Sequence, residues 1–301
     1  MIDRLPVHMR GPAWMVLGCI VFAILWGLIR QASETVHPFV VVFYRNLFGT
    51  LMLAPLIIKH GRTLFQTNRI GAHVRRATSG VVATFCTFYA IANAPLATVM
   101  SINYSAPLFT TIAAIFFLGE TVRWRRMVAL AIGFVGMLIV LRPGQIPLTI
   151  GIMAAVVSAI ATAFSTIAMK QLSRTESSLS VVTYSFVLML PPSLIVCLPY
   201  WQWPNWQELL VLLGIGLTAS VAQSCTVKAL GAADATAVLP YDFVRFGLVI
   251  AIGVLAFGDP VDGFTYLGGL IIFFATLYMA HRETVAARRA KADSPPETQT
   301  G

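Results

Sequence analysis

Apolar stretches of about 20 residues, the length that an α-helix needs to cross a bilayer, recur about ten times along this sequence. Lipid offers the backbone no hydrogen-bond partner, so such a chain spans the membrane either as helices or as a closed barrel, and barrel strands are much shorter than these stretches. Only 11% of the residues are charged, against about a quarter in soluble domains. The sequence therefore predicts an all-α integral membrane protein.

We place ten transmembrane helices on the apolar stretches. They cover residues 12–29, 38–58, 77–92, 96–118, 127–141, 148–169, 179–199, 209–227, 232–261 and 264–281. The basic stretch 59–76 between the second and third spans is predicted to be a loop. Residues 1–11 form a short amino-terminal tail, and the polar residues 283–301 are expected to form a disordered carboxy-terminal tail.

The two halves of the chain repeat each other. Residues 86–99 match residues 225–238, and LGETV at 118–122 matches FGDPV at 257–261, both at an offset of 139. We therefore divide the chain into a first repeat over residues 12–142 and a second over residues 147–282. Each repeat holds five spans, and an odd number turns the second repeat upside down in the membrane. Inverted repeats of this kind are typical of secondary transporters, which bind their substrate near mid-membrane between the repeats.

Positive charges indicate the orientation. Of the 21 Lys and Arg residues, 17 fall on one side of the predicted membrane, Arg30 and Arg142 fall on the other, and Arg45 and Arg245 lie within spans. Positive residues collect on the cytoplasmic side, so we predict a bacterial inner-membrane protein with both termini in the cytoplasm. The net charge of +9 then reflects topology and does not indicate a nucleic-acid partner.

No motif for enzyme chemistry stands out. The four cysteines lie inside apolar stretches without a Cys-x-x-Cys spacing, and the five histidines are scattered over tails and loop edges. GIGLTA at residues 214–219 fits a dinucleotide-binding pattern, but it lies within a span and has no strand before it. We therefore predict no catalytic residues, no cofactor and no metal site.

Ionisable residues inside the spans are the main functional candidates. Asp242 and Arg245 are three residues apart and share one face of the predicted ninth helix. Arg45 lies within the second span. A charge near the bilayer centre costs about 2.5 to 3.5 kcal/mol, so these side chains should face protein or water. They line a substrate or proton pathway, or they form a buried ion pair that only fixes helix packing.

Neutral polar residues complete the candidate pathway. The sixth span carries a polar stripe that includes Thr162. The other candidates lie in the fourth, eighth and ninth spans; they are Asn103, Tyr104, Gln223 and Tyr241. An interhelical hydrogen bond worth about 1 kcal/mol is the alternative role for each of them.

The sequence resembles the EamA-type proteins of the drug/metabolite transporter superfamily. The similarity lies in the two five-span copies, in PFVVVFYRNLF of span two, in APLAT followed by SAPLF, and in LGETVRWRR. The resemblance implies ten helices, a central cavity lined mainly by spans 1, 3, 4, 6, 8 and 9, and carriage of small organic solutes without ATP. By position it implies that Asn103, Tyr104, Gln223, Tyr241 and Asp242 line the cavity.

The leading hypothesis is a secondary transporter that moves a small metabolite by alternating access, with proton coupling as an open question. S-adenosylmethionine, riboflavin, an amino acid or a drug-like efflux substrate are the candidate solutes. A channel-like facilitator and a membrane scaffold are the alternatives. The direction of transport, the coupling ion and the oligomeric state, including a homodimer, stay open at this point.

Overall fold

The computed structural model describes residues 7–61, 67, 69–106, 108–110, 112–113, 124–142, 148–172, 176–232, 243–260 and 262–292. Its α-helices are α1 Val7–Ala32, α2 Pro38–His60, α3 Ile70–Asn93, α4 Leu96–Asn103, α5 Trp124–Leu141, α6 Ile150–Leu172, α7 Ser178–Cys197, α8 Trp206–Ala232, α9 Phe243–Phe257 and α10 Gly263–Ala292. A short 3-10 helix, Leu198–Tyr200, follows α7. The prediction of an all-α fold is confirmed.

Five helices in the described part of the chain are long and apolar enough to cross a membrane. Their spanning stretches are Arg10–Ala32, Pro38–Pro55, Ile150–Ala168, Leu179–Tyr200 and Trp206–Thr226. Three shorter apolar stretches accompany them, Met127–Leu141, Val244–Phe257 and Gly263–Ala275. The protein is thus a multi-pass membrane protein.

Helices of the first half pack against helices of the second half in repeat-related pairs. The most extensive contacts are α3 with α6 and α1 with α8. Because α1 corresponds to α6 and α3 corresponds to α8 in the two repeats, these two contacts are equivalent. The contacts of α2 with α7, α4 with α9 and α5 with α10 each join a helix to its counterpart in the other repeat. This pattern is what a two-fold relation between two five-helix units produces, and it agrees with the inverted repeat predicted from the sequence.

Neighbouring helices run in opposite directions. Phe39 at the start of α2 packs against Phe85 in the second half of α3, with ring centroids 5.0 Å apart. Lys228 near the end of α8 lies 4.4 Å from the ring centroid of Trp14 near the start of α1. We call the face where α1 begins and α10 ends the terminal face, and the other the opposite face. The terminal face thus holds the starts of α3 and α7 and the ends of α6 and α8.

Helix α5 crosses α10 at two glycines. A Cβ atom added to Gly268 would lie 2.6 Å from the carbonyl oxygen of Gly136, and one added to Gly136 would lie 2.9 Å from the carbonyl oxygen of Gly268. The absence of both side chains lets the two backbones meet directly. Small residues serve this purpose in membrane helices, where packing replaces the hydrophobic driving force of water.

Polar side chains fix where helices begin. The Ser177 hydroxyl accepts a hydrogen bond from the Ser180 N–H at 3.1 Å at the start of α7. Asn205 and Glu208 exchange two bonds before α8, since each side chain accepts from the other residue's N–H, at 2.9 and 2.8 Å. Such capping satisfies amide donors that have no partner within the helix.

The predicted loop 59–76 was wrong at both ends. Helix α2 continues to His60, and α3 already begins at Ile70. Long basic side chains reach the membrane surface or backbone acceptors while their helix continues. Arg76 is such a case, since its guanidinium donates to the carbonyl oxygen of Val181 at 2.9 Å. The third helix is therefore longer than the predicted span 77–92.

Two further boundaries differ from the prediction. The fourth span was predicted as one helix over 96–118, but α4 ends at Asn103 and a turn at Tyr104 and Ser105 precedes the next helical residues. Pro107 lacks an N–H and cannot bond the carbonyl four residues back, which favours a break at this place. The tail was expected to be disordered from residue 283, whereas α10 extends to Ala292 because this stretch is rich in Ala, Arg and Lys, which are strong helix formers.

Candidate functional site

A cavity of about 190 Å³ lies between the two repeats. We call it the central cavity. Side chains from α2, α3, α6, α7 and α8 line it. The lining residues are Arg45, Arg76, Gly80, Ala83, Thr84, Thr162, Ser165, Thr166, Val182, Ser185, Phe186, Met189 and Gln223. Most of them come from the first half of α3 and α7 and the second half of α6 and α8, so the cavity occupies the part of the bundle toward the terminal face.

Helical spacing brings the lining residues together. Arg76, Gly80 and Thr84 are four residues apart on α3 and therefore share one face of that helix. Thr162 and Thr166 follow the same rule on α6. A Cβ on Gly80 would lie 3.7 Å from the Ser165 hydroxyl oxygen, so this face of α3 lies against the polar face of α6 at the cavity.

Arg45 is the deepest cation of this site. It lies about 10 Å along α2 from the start of the helix, given a rise of 1.5 Å per residue. Its guanidinium donates to the side-chain oxygen of Asn46 at 2.9 Å, and its Cζ atom lies 5.0 Å from the ring centroid of Phe186. Asn46 itself is fully buried. Within the described residues, Arg45 has no carboxylate partner.

The cavity wall is cationic and rich in hydroxyl groups. It contains Arg45 and Arg76 and, among the described lining residues, no Asp or Glu. In the part of the chain that the structure describes, the side chains of Thr84, Thr162 and Ser165 form no hydrogen bond with another residue, so their hydroxyls can bind a solute. The cavity is therefore suited to a solute that carries oxygen acceptors.

A polar contact closes the bundle beside the cavity toward the opposite face. The hydroxyls of Thr87 on α3 and Ser158 on α6 share a hydrogen bond of 2.5 Å. The Ser158 hydroxyl also lies 3.4 Å from the side-chain oxygen of Asn103 on α4. Ser158 is fully buried. Three helices from both repeats are therefore held together at this level.

A second contact seals the opposite face. The buried carboxylate of Asp259, just after α9, accepts a hydrogen bond from the Leu96 N–H at the start of α4, at 2.7 Å. Its other oxygen lies 3.8 Å from a guanidinium nitrogen of Arg30. Arg30 also donates to the carbonyl oxygens of Ile91 and Ala94, at 2.5 and 3.3 Å. We call Arg30, Asp259 and the Leu96 N–H the opposite-face lock.

Arg245 belongs to a separate aromatic cluster. Its Cζ atom lies 5.2 Å from the ring centroid of Phe22 and 5.6 Å from that of Tyr104. Tyr104 also meets Phe246 edge to face at 5.4 Å. Neither Arg245 nor Tyr104 lines the central cavity.

The structure brings together three of the residues predicted as pathway candidates, Arg45, Thr162 and Gln223. Asn103 lies in the polar contact beside the cavity, and Tyr104 and Arg245 lie in the aromatic cluster. The two remaining candidates, Tyr241 and Asp242, lie outside the described residues, so their pairing with Arg245 stays a prediction. Across the described residues, no three His, Cys, Asp or Glu side chains come together as metal ligands would.

Sequence reasoning missed Arg76 and the opposite-face lock. Arg76 fell in a predicted loop, although its spacing of four from Gly80 and eight from Thr84 continues a polar stripe of α3. Asp259 was placed at a span end, although it stands in the FGDPV segment that the repeat match had already singled out. The signal for Arg76 was its helical spacing from other small or polar residues, and the signal for Asp259 was its place in a segment that recurs in both repeats.

Comparison with known proteins gives concordant results. The profile of the EamA-like transporter family matches twice, over residues 9–142 and 149–280. An S-adenosylmethionine uptake transporter of Rickettsia felis is 30% identical over 96% of this chain and 98% of its own length. A riboflavin transporter of Vibrio cholerae is 29% identical over 94% of this chain and 97% of its own length. A protein crystal structure with 19% identity covers 93% of this chain and 99% of its own, with a TM-score of 0.59, and shows similarity of fold alone.

Proposed function

Because the chain belongs to the EamA-like transporter family, we propose that it is a secondary carrier that moves a small organic metabolite across the bacterial inner membrane by alternating access. The chain is a membrane transporter and not an enzyme. In alternating access, the two inverted repeats rock against each other around a fixed binding site, which opens to one side at a time.

One observation carries this proposal, namely the asymmetry between the two halves of the bundle. The central cavity lies toward the terminal face, whereas the Thr87–Ser158 contact and the opposite-face lock close the other end. A carrier that is closed on one side and hollow on the other has this arrangement. A scaffold gives no reason for polar groups to surround an internal cavity.

The charge distribution supports an orientation. Among the described residues, Lys59, Arg75, Lys228 and the basic end of α10 lie at the terminal face, and the positive-inside rule places such a face in the cytoplasm. The conformation described here is then the inward-facing one, with the opposite-face lock on the periplasmic side. Outward opening requires that Asp259 separate from Arg30 and from the Leu96 N–H.

The relatives supply the first solutes to test. S-adenosylmethionine and riboflavin are carried by the Rickettsia felis and Vibrio cholerae proteins according to their names, and we propose solutes of this class for this chain. We keep a proton gradient as the candidate driving force and test it in the same assay.

The decisive experiment is solute exchange in proteoliposomes that contain the purified protein. A carrier takes up radiolabelled S-adenosylmethionine or riboflavin faster when the unlabelled solute is present inside, because the return of a loaded site is faster than that of an empty one. An open pathway shows flux that does not respond to internal solute, and a scaffold shows no flux above protein-free liposomes. An imposed pH gradient accelerates uptake only when protons are coupled.

A further inference from the structure

Resting on the proposed function, we propose that the solute carries an oxyanion group, a carboxylate or a phosphate, and that the guanidinium of Arg45 binds it in the central cavity. This assigns a chemical class to the substrate and one residue to its recognition.

Arg45 lies well inside α2, in a protein that spans a membrane, and no described carboxylate neutralises it. An ionised group in this environment needs a partner or water, and arginines within spans pair with other charges or mark the path of a substrate. Its hydrogen bond with Asn46 involves a neutral amide. An anionic solute restores the charge balance only while it is bound, which is what a carrier requires.

A guanidinium has five N–H donors in a fixed plane, and the planar fork matches the two oxygens of a carboxylate or phosphate. Asn46 accepts from one nitrogen of Arg45 and Phe186 lies against the Cζ atom. These two contacts hold the side chain in place and leave other donors for a ligand in the cavity that Arg45 lines.

The rest of the cavity wall also supplies hydrogen-bond donors. The hydroxyls of Thr84, Thr162 and Ser165 can each donate to an oxyanion, and Gln223 adds an amide donor. The guanidinium of Arg76 in the same wall raises the positive potential further. A solute with a carboxylate or phosphate therefore meets donors from α2, α3, α6 and α8, and contacts from both repeats are what couples binding to their relative motion.

The size of the cavity narrows the class. Its volume of about 190 Å³ is below the roughly 300 to 1,000 Å³ of typical small-molecule sites. It fits a compact organic acid, or the acidic end of a longer solute.

Two matched pairs of probes test the inference. S-adenosylmethionine and its decarboxylated form differ by one carboxylate, and flavin mononucleotide and riboflavin differ by one phosphate. Dissociation constants are measured with the full-length protein in nanodiscs. We expect the acid of at least one pair to bind at least tenfold more tightly than the counterpart that lacks the acid group, and the pair that discriminates identifies the oxyanion as carboxylate or phosphate.

Variants assign the effect to Arg45. Arg45→Gln should abolish the preference and leave the affinity for riboflavin, the uncharged probe, within twofold. Arg45→Lys keeps the charge without the planar fork and should retain part of the preference, and it also serves if the glutamine variant fails to fold. Arg69→Gln is the matched control, because Arg69 is exposed at the start of α3 and makes no side-chain cap.

Three outcomes overturn the inference: equal affinity within both pairs, absence of binding by both acids, or a preference that survives Arg45→Gln. If riboflavin is exchanged in proteoliposomes and one of these results is also obtained, the proposed carrier function stands. Only the inference that the solute carries an oxyanion is then refuted. Conversely, acid binding that depends on Arg45 without flux of any solute removes the carrier function and leaves the binding site.

Discussion

Replacing Asp259 by alanine should open the opposite face. In the structure this one carboxylate joins the two repeats, because it accepts the Leu96 N–H of the first repeat and faces Arg30 at the end of α1. Alanine removes both interactions and leaves a buried N–H without its acceptor. The conformation that is closed on this face should therefore lose stability relative to the open one.

The magnitude follows from the two contacts. A buried hydrogen bond to a charged group contributes about 1.5 to 3 kcal/mol. The ion pair adds about 0 to 1 kcal/mol, because its distance is 3.8 Å and the Arg30 side chain is 22% exposed. The total of about 2 to 4 kcal/mol corresponds to an increase of about 30- to 900-fold in the ratio of open to closed molecules.

Cysteine labelling measures this ratio. Ala97 follows the lock on α4 and is 1% exposed, so a cysteine there reacts with a membrane-impermeant maleimide only after the face opens. We expect Asp259→Ala to raise the labelling rate of Ala97→Cys at least tenfold. Asp259→Asn retains an acceptor for the Leu96 N–H and should have a smaller effect.

Two controls separate opening from general destabilisation. Ala168→Cys near the end of α6 is buried toward the terminal face and should keep its labelling rate. Glu34→Gln removes an exposed carboxylate near the end of α1 and should leave Ala97→Cys protected. If Asp259→Ala leaves the labelling of Ala97→Cys unchanged, Asp259 does not hold this face closed.

Three further predictions test the topology, the helix crossing and a loop histidine. In intact cells, a cysteine at Gln202 should react with impermeant reagents and one at Arg69 should not; labelling of both from outside contradicts the inverted repeats. Gly268→Ala should lower the unfolding free energy by about 1 to 3 kcal/mol, since its Cβ would lie 2.6 Å from a backbone oxygen. Gly247→Ala is the control, because Gly247 has open space around it, and it should not lower the unfolding temperature. Equal effects of the two substitutions would rule out the glycine contact. Burial lowers the pKa of His37, before α2, from its ordinary 6.5, so its stabilising contribution is present above about pH 6.5 and lost below it. Between about pH 7.5 and 5.5 the unfolding temperature should therefore fall more for the wild type than for His37→Asn. An equal fall in both proteins would contradict a role of His37 in this pH dependence.

Much of the fold could be predicted because the membrane acts on local sequence. A span needs a continuous apolar stretch, so the order of the helices can be read from hydropathy alone. The ends of the helices could not be read in this way. Helix α3 begins seven residues before the predicted span, at Ile70, because basic side chains such as Arg76 reach acceptors on a neighbouring helix and let the helix continue.

The candidate site was predicted in part. Arg45, Thr162 and Gln223 stood out because polar groups in apolar stretches are costly and seldom accidental, and the structure gathers them around one cavity. Asn103 and Tyr104 met the same criterion but bind protein neighbours instead. Sequence identifies which side chains need a partner, whereas only packing decides whether that partner is another helix or a solute.

The sequence by itself determined the all-α membrane fold and the division into two five-helix repeats, because hydrophobic length and internal similarity are properties of the chain. The tertiary structure decided which residues meet. Asp259 and the Leu96 N–H are 163 positions apart, and no local pattern links them. Their contact exists because two inverted repeats place the start of α4 beside the end of α9, and distances of this kind arise only when helices pack.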